Sequence, residues 1–240
     1  PEMSRGLGDV YKRQILRELA HEKDMKGLKV CVTAGPTRET IDPVRFISNR
    51  STGKMGFALA KNAMERGADV TLVSGPVELK DVPFVKMVHV ESARQMFEAV
   101  TKEAETADII VKAAAVADYR PAVVADEKIK KKEGDMSIAL ERTDDIIGTL
   151  GKTKRDNLFL CGFSMETEHM LENSKAKLEK KNLDMIIANN VKVKGAGFGT
   201  DTNVVTLITK DEIKELPIMS KEDVADEIFN NILANRKGIV

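Results

Sequence analysis

Short apolar runs rich in β-branched residues alternate with helical patterns along most of this chain, and this alternation constrains the fold more than any other feature. Six such runs lie at 29–33, 69–73, 84–88, 108–111, 158–162 and 185–188. Helical patterns lie between several of them, which is typical of parallel strands joined by crossover helices. The sequence therefore predicts a Rossmann-like, doubly wound α/β fold with a mostly parallel sheet and helices on both faces. A late β-hairpin is predicted from 204–208 and 213–216.

The helices carry recognisable start and stop signals. In the first, predicted over 53–66, apolar residues recur every four positions and Gly67 follows as a stop. Ser92 with Gln95 forms a predicted capping box for the second. A third helix is predicted over 168–181, and Ser220 is predicted to cap the last. The residues predicted to face the core are Met55, Leu59, Ala63, Met96, Phe97, Val100, Val224, Ile228 and Ile232.

The first residues of the chain do not share this organisation. Residues 1–14 show no periodicity and resemble a junction artefact, and residues 15–26 are charged without a clear pattern. We therefore interpret 1–27 as a non-native or linker segment and 28–240 as one domain.

Composition excludes several functional classes. The 240 residues contain 38 basic and 38 acidic side chains, which argues against a general binder of nucleic acid or anionic membranes. No apolar run approaches the length of a membrane span and no signal peptide is visible, so we expect a cytoplasmic protein. Cys31 and Cys161 each lie in a predicted strand, which favours buried structural thiols over a disulfide framework or a zinc site.

A glycine-containing turn at 33–37 follows the first strand, where α/β sheets expose backbone amides to ligands. It is not a G-x-G-x-x-G motif, and a plain turn remains an alternative. The second strand ends at Ser74 and Gly75 without the acidic residue that usually binds the ribose of NAD. Binding of a nicotinamide cofactor is therefore disfavoured.

The loop at 42–56 combines anion-binding features. Ser51, Thr52 and Gly53 stand at the predicted start of the first helix, where free N–H groups and the helix dipole attract anions. For the hydroxyl of Ser51 or Thr52 alone, capping the helix is the favoured role, and Asn49 can be a simple turn residue. Basic residues of the same loop shift the balance towards phosphate: Arg45, Arg50 and Lys54.

Two long motifs carry a resemblance to a known family. The first is T-A-G-P-T-R-E-x-I-D-P-V-R-F-I-S-N-x-S-T-G-K-M-G at 33–56, and the second is A-A-A-V-A-D-Y-R-P at 113–121 followed by E-K-I-K-K at 127–131. In this order they resemble CTP-dependent phosphopantothenoylcysteine synthetases, the synthetase half of a bifunctional bacterial enzyme of coenzyme A synthesis. The similarity covers roughly 29–235.

The resemblance implies a reaction and its partners. Members of this family join 4′-phosphopantothenate to L-cysteine with CTP and Mg²⁺, through an acyl-cytidylate, releasing pyrophosphate and then CMP. They are dimeric, so a homodimer is expected. Some are fused to a flavin-dependent decarboxylase. That half is absent from this chain, so no flavin is expected here and truncation of a bifunctional enzyme is a plausible origin.

The resemblance also implies site residues. Asn49 matches the asparagine that holds the activated acyl group, and Lys128 matches a lysine that contacts CTP, so these two are the expected catalytic residues. Arg45 is expected to reach the phosphate of substrate in the partner subunit, and 51–53 to bind anions. No metal ligands are assigned. The expected CTP-binding residues are Lys112, Ala113, Ala114, Asp118, Lys128, Asp145, Ile146, Ile147, Phe163, Lys177 and Lys181.

One position departs from the family, and two other functions stay open. The proline that commonly precedes the aspartate–isoleucine pair near the base is replaced by Asp144. A Rossmann-type NAD(P) oxidoreductase is one alternative, although no Tyr-x-x-x-Lys pair occurs. A non-catalytic nucleotide-binding regulator is the other.

The segment 127–133 also has two interpretations, a solvated loop or a mobile lid. Histidines lie outside both motifs, so we expect them to be structural or superficial: His21, His89 and His169.

Overall fold

The computed structural model describes residues 22–131, 134–165, 170–189, 197 and 199–236. Its strands are β1 (Lys29–Ala34), β2 (Arg38–Thr40), β3 (Phe46–Ser48), β4 (Asp69–Ser74), β5 (Lys86–His89), β6 (Ile109–Lys112), β7 (Tyr119–Pro121), β8 (Leu140–Arg142), β9 (Phe159–Met165), β10 (Met185–Asn189), β11 (Thr202–Asn203), β12 (Val205–Thr209), β13 (Ile213–Glu215) and β14 (Met219–Ser220). Its helices are α1 (Lys54–Glu65), α2 (Ala93–Ala104), α3 (Ile146–Lys152), α4 (Met170–Lys180) and α5 (Lys221–Asn235).

Eight strands form the central sheet in the order β13-β12-β10-β9-β6-β1-β4-β5. Six neighbouring strands of this sheet pair in parallel: β5, β4, β1, β6, β9 and β10. Strand β12 pairs antiparallel with β10 on one side and with β13 on the other. Counted along the chain, the parallel strands stand in the order 3-2-1-4-5-6, which is that of a doubly wound dinucleotide-binding fold. This confirms the predicted fold class and the late hairpin. The strand order reverses between β1 and β6, which places a ligand-binding crevice at their carboxyl ends.

Two hydrophobic cores cover the two faces of the sheet. Along β1, Val30 and Val32 pack with α1 and α5, whereas Cys31 faces α2 and α3 on the other side. Both faces are buried, which explains why the strands appear as continuous apolar runs. Cys31 and Cys161 are buried free thiols, as predicted, and burial raises the pKa of Cys31 to about 12.

The predicted helix signals are largely confirmed. Ser92 Oγ accepts from the Gln95 N–H at 3.3 Å while Gln95 Oε1 accepts from the Ser92 N–H at 3.2 Å, completing the capping box. Ser220 Oγ caps α5 by accepting from the Asp223 N–H. The predicted core residues of α5 are fully buried, but Phe97 of α2 is only partly buried.

Some predictions differ from the structure in instructive ways. The third strand begins at Lys86 rather than at residue 84, because Val85 N–H bonds to Val82 O in a turn. That turn gives Phe84 a positive φ of 62° and leaves it 83% exposed. The helix α3 and the small hairpins β2–β3 and β7–β8 were not predicted, because segments this short carry no clear periodicity.

The packed structure begins before the predicted boundary at residue 28. Met25 is fully buried in the core beneath α1, and its N–H bonds to Arg66 O at 3.0 Å. The Arg66 guanidinium pairs with the carboxylate of Asp24. The interpretation of residues 1–21 as non-native or linker lies outside the described residues and stays a prediction.

No helix in the described part of the chain is long and apolar enough to cross a membrane.

Candidate functional site

The loops after β1 and β6 meet at the point where the strand order reverses. Ala115 N–H donates to Gly35 O at 2.9 Å, and Ala114 N–H donates to Thr33 Oγ1 at 3.0 Å. Pro36 and Ala115 also form an isolated parallel bridge. The structure therefore brings the first halves of the two sequence motifs together as one wall of the crevice.

Helix α1 begins in this crevice. A Cβ on Gly56 would lie 2.8 Å from Thr33 O, so the missing side chain lets the helix approach β1 closely. Gly53, at the N-cap, has a φ of +79°. Gly53 has no side chain to cap this helix, and Ser51 Oγ accepts from the Gly53 N–H at 3.3 Å. Because the first N–H groups of a helix have no intrahelical partners, this helix end suits an anion.

A cavity of about 150 Å³ lies in front of this helix end. It is lined by residues 51–56, 113–115 and 163–165, with Asn189, Asn203 and Lys221 closing it. The structure thus gathers six predicted site residues around one cavity: Ser51, Thr52, Gly53, Ala113, Ala114 and Phe163.

Asn189 is a cavity residue that sequence reasoning missed. It ends β10, is 9% exposed, and its Oδ1 has no hydrogen-bond partner within the described residues. A buried amide oxygen without a partner is costly, so a ligand donor in the cavity would stabilise it. A polar residue directly after the buried run 185–188 was the signal available in the sequence.

Two lysines fasten the loop around residues 197–202 to the cavity rim. Lys221 Nζ donates to the carbonyl oxygens of Gly197 and Thr202, each at 3.1 Å, and desolvation lowers its pKa. Lys54 Nζ contacts Asp201 Oδ1 at 2.7 Å, and this hydrogen bond lowers the pKa of Asp201. From the sequence, Lys54 is one of the basic residues that favour phosphate binding in the loop at 42–56. In the structure its ammonium group is paired with the Asp201 carboxylate.

Lys112, Lys177 and Lys181 form a cluster with the carboxylates of Asp118 and Asp145. Lys181 Nζ lies 2.8 Å from Asp145 Oδ2. Desolvation, followed by the neighbouring charges of Lys177 and Lys181, lowers the pKa of Lys112 to about 8, and the two carboxylates partly oppose this. Three lysines beside two carboxylates leave a local positive excess, which suits a polyanionic ligand.

Ile146 and Ile147 lie in the second hydrophobic core, both almost fully buried. The side chain of Ile147 packs against Gly162, where an added Cβ would collide with it. These side chains therefore belong to the core, and only the backbone at these positions is available for a nucleotide. Asp145 Oδ1 accepts from the Gly148 N–H at 3.1 Å and so caps α3.

Asn49 faces a second and larger groove of about 700 Å³, which also contains Arg38 and Arg50. The Asn49 side chain is exposed, and its Nδ2 donates to Ala115 O at 2.9 Å. Asn49 is therefore tied to the crevice wall.

Arg45 and Lys128 are close to each other in the fold but outside both cavities. The Arg45 guanidinium pairs with Asp42, and its Nη2 donates to Ile129 O at 2.9 Å. Lys128, next to Ile129, is exposed. Within the chain, Nε and Nη2 of this guanidinium donate to Asp42 and Ile129. The predicted contact of Arg45 with a phosphate in a partner subunit stays a prediction.

Within the described residues, no group of three or more His, Cys, Asp or Glu side chains is placed to hold a metal ion. His89 is exposed and lies 3.3 Å from Asp81, as expected for a superficial histidine. His21 and His169 lie outside the described residues.

The chain is similar to a known protein family and to curated proteins. Residues 25–235 match the family model described as DNA/pantothenate metabolism flavoprotein C-terminal domain. The chain is 51% identical over 216 residues to the coenzyme A biosynthesis bifunctional protein CoaBC of Bacillus subtilis (strain 168), covering 89% of this chain and 53% of that protein. It spans about half the length of the curated relatives it matches.

Solved structures give the same result. The crystal structure of the C-terminal domain of a CoaBC protein has a TM-score of 0.75 and 48% identity, covering 87% of this chain and 97% of that chain. A Cab2 mutant in complex with phosphopantothenate-cysteine has a TM-score of 0.71 at 15% identity, covering 94% of this chain and 90% of that one, which shows a shared fold. The resemblance carried by the two sequence motifs is thereby confirmed, and this chain belongs to the DNA/pantothenate metabolism flavoprotein C-terminal domain family.

Proposed function

We propose that this chain is a CTP-dependent phosphopantothenate–cysteine ligase of coenzyme A biosynthesis. The observation that carries the proposal is the crevice between β1 and β6, where the start of α1 and residues 113–115 line one cavity. We assign the start of α1 to the phosphate of the acid and residues 113–115 to the nucleotide. The half-length match to bifunctional coenzyme A proteins supports the same assignment.

In the first step, a carboxylate oxygen of 4′-phosphopantothenate attacks the α-phosphorus of CTP and pyrophosphate leaves. Negative charge accumulates at an already anionic centre, so preorganised cations lower the barrier. We assign this role to Lys128 and to the cluster of Lys112, Lys177 and Lys181. The backbone of Ala113 and Ala114 would hold the nucleotide.

In the second step, the amine of cysteine attacks the acyl carbonyl of the acyl-cytidylate, loses a proton, and displaces CMP. We assign Asn49 to the acyl group, because an amide donor can bond the carbonyl without competing as a nucleophile. The Asn49 amide nitrogen carries a second N–H besides the one bonded to Ala115, and we assign this second N–H to the acyl carbonyl. Residues 51–53 at the start of α1 would bind the phosphate of the acid.

A magnesium ion fits this site as a companion of the nucleotide. Proteins usually hold Mg²⁺ through one or two carboxylates together with substrate phosphates, so a cluster of three protein ligands is not required. Asp118, an exposed carboxylate beside Lys112, is the residue that would hold it. When bound, the ion would neutralise charge on the phosphates.

The proposal includes a homodimer. Both small hairpins carry exposed apolar side chains, among them Phe46 on β3 and Leu140 on β8. We assign these exposed apolar side chains to the interface between two copies of the chain. Light scattering on the purified chain tests the oligomeric state, and a monomer at micromolar concentration would contradict it.

A nicotinamide oxidoreductase is less well supported. At the end of β4, a Cβ on Gly75 would collide with Pro36 O, so the chain is tightly packed where a ribose-binding acid would stand.

The deciding experiment incubates the chain with CTP, Mg²⁺, 4′-phosphopantothenate and cysteine, and measures CMP and product by mass spectrometry. We expect equal amounts of both. Binding of CTP without any product would favour the non-catalytic regulator.

A further inference from the structure

Asp42 is a buried carboxylate at the centre of the loop before β3. Its Oδ1 accepts from the N–H groups of Val44 and Arg45, both at 2.9 Å. Its Oδ2 accepts from Arg45 Nε at 3.0 Å and from the Ile129 N–H at 3.1 Å. The hydrogen bond from the Arg45 side chain, with help from the backbone donors, holds the pKa of Asp42 well below its ordinary value.

The Asp42–Arg45 pair holds the peptide groups of Ile129 on both sides. Asp42 accepts from the Ile129 N–H, and Arg45 Nη2 donates to the Ile129 carbonyl oxygen at 2.9 Å. A third bond, from Ala125 N–H to Ile41 O at 3.0 Å, holds residue 125, at the start of the segment 125–131 that contains Ile129.

This contact is placed where it affects the lysines of the second motif. Lys128 and Lys130 flank Ile129 and are exposed. Arginine suits the task because its planar fork donates to a carboxylate and to a carbonyl in fixed directions, which an ammonium group does not reproduce. Charge-assisted bonds of this kind are also stronger than bonds between neutral groups.

We propose that Asp42 and Arg45 are positioning residues that hold the segment 125–131, and with it Lys128, in the orientation needed for activation of the acid by the nucleotide. The proposal rests on the proposed function. It gives Arg45 a role within its own subunit that does not require contact with a substrate phosphate.

The first test uses trypsin and needs no substrate. Cleavage after Lys128, Lys130 and Lys131 is followed by mass spectrometry in the parent protein and in Arg45→Lys, which retains the charge and the cleavage site at position 45. Loss of a charge-assisted contact is expected to speed cleavage at these three sites about tenfold, because the segment opens more often. Arg94→Lys, in an exposed ion pair on α2, is the matched control and should leave the rate unchanged.

Asp42→Asn gives an independent variant, because it keeps the shape of the side chain but removes its charge. Should either variant melt far below the parent, hydrogen exchange on the unaltered protein decides instead. The Ile129 amide, bonded to Asp42, should then exchange more slowly than the amides of Lys128 and Lys130. Equal exchange at the three amides, or unchanged cleavage in folded variants, would overturn the proposal.

Kinetics separate positioning from direct phosphate binding. In Arg45→Lys we expect a higher KM for CTP and slower pyrophosphate release, with an unchanged KM for 4′-phosphopantothenate. A raised KM for the acid alone, with normal trypsin cleavage, would make Arg45 a phosphate ligand and contradict the positioning role. Failure of the parent protein to make product would refute the proposed function, while the trypsin result would still decide whether the segment is held.

Discussion

The side-chain amide of Asn49 donates a hydrogen bond to the backbone carbonyl of Ala115 across 2.9 Å. This bond joins the loop before α1 to the loop after β6, which are the two motifs that line the crevice. The bond holds the Asn49 side chain in place. Because Asn49 therefore has a structural role beside its proposed chemical role, an experiment has to separate the two.

Asn49→Asp is designed for that separation. The substitution keeps the shape but places a carboxylate against Ala115 O and in front of an anionic intermediate. Because Asn49 is exposed, we expect the free energy of unfolding to fall by only about 1 kcal/mol. CTP binding should persist while product formation is severely reduced. A melting curve measured beside CMP and pyrophosphate assays checks this, and an early melt with loss of all activities would show a purely structural role.

Lys112 gives the site a dependence on pH. Its pKa of about 8 lies below the ordinary value of 10.5, so the folded protein releases this proton earlier than the unfolded chain. Below about pH 8 the lysine is charged in both states and its desolvation cost is fully present. As pH rises from 8 towards 10.5 that cost is relieved, so this residue alone makes the protein more stable with rising pH.

Lys112→Met should therefore raise the free energy of unfolding at neutral pH, and the gain should shrink above pH 8. The same change should weaken CTP binding by about tenfold or more, because a charged donor to phosphate is lost. Urea titrations at two pH values and nucleotide titrations measure both effects. Lys175→Met, at an exposed position on α4, is the control. A destabilised Lys112→Met protein at neutral pH would contradict the account.

Gly56 tests the close packing of α1 on β1. In Gly56→Ala the new methyl group would lie 2.8 Å from Thr33 O, so the helix must shift. We expect a destabilisation of about 1–3 kcal/mol. Gly199→Ala is the matched control, since no atom of the described residues lies within 4 Å of its added Cβ. Urea denaturation of both variants decides, and equal stabilities would mean that the helix tolerates the shift.

Sequence reasoning predicted the features that depend on local patterns. The capping box at Ser92 and the cap at Ser220 were correct because each involves residues only three apart. The helix α3 was missed because seven residues are too few for a periodic pattern. Phe84 was placed in a strand because its apolar character masked a turn.

The candidate site shows the same division. Residues 51–53 and 113–114, which line the cavity, could be predicted from the sequence because they belong to continuous motifs. Asn189 and Lys221 were missed because they reach the cavity only through the fold, from chain positions far from either motif. The sequence also gave no warning that the Arg45 guanidinium is already engaged by Asp42.

Lys128 tests whether the segment after β7 takes part in the chemistry. Lys128→Gln should slow pyrophosphate release by about 10²-fold, because a cation near the transferred phosphoryl group is lost. Stability should be unchanged, since the side chain is exposed. Lys102→Gln, exposed on α2, is the control. Near-normal pyrophosphate release in Lys128→Gln would return the segment to the role of a solvated loop.

The half-reaction without cysteine tests the central claim most directly. The chain is mixed with Mg²⁺, 4′-phosphopantothenate and either CTP or ATP, and pyrophosphate and the acyl-nucleotide are measured by mass spectrometry before cysteine is added. The account predicts pyrophosphate and an acyl-cytidylate with CTP, far less with ATP, and conversion to product and CMP once cysteine arrives. Equal turnover with ATP, or no pyrophosphate until cysteine is present, would contradict it.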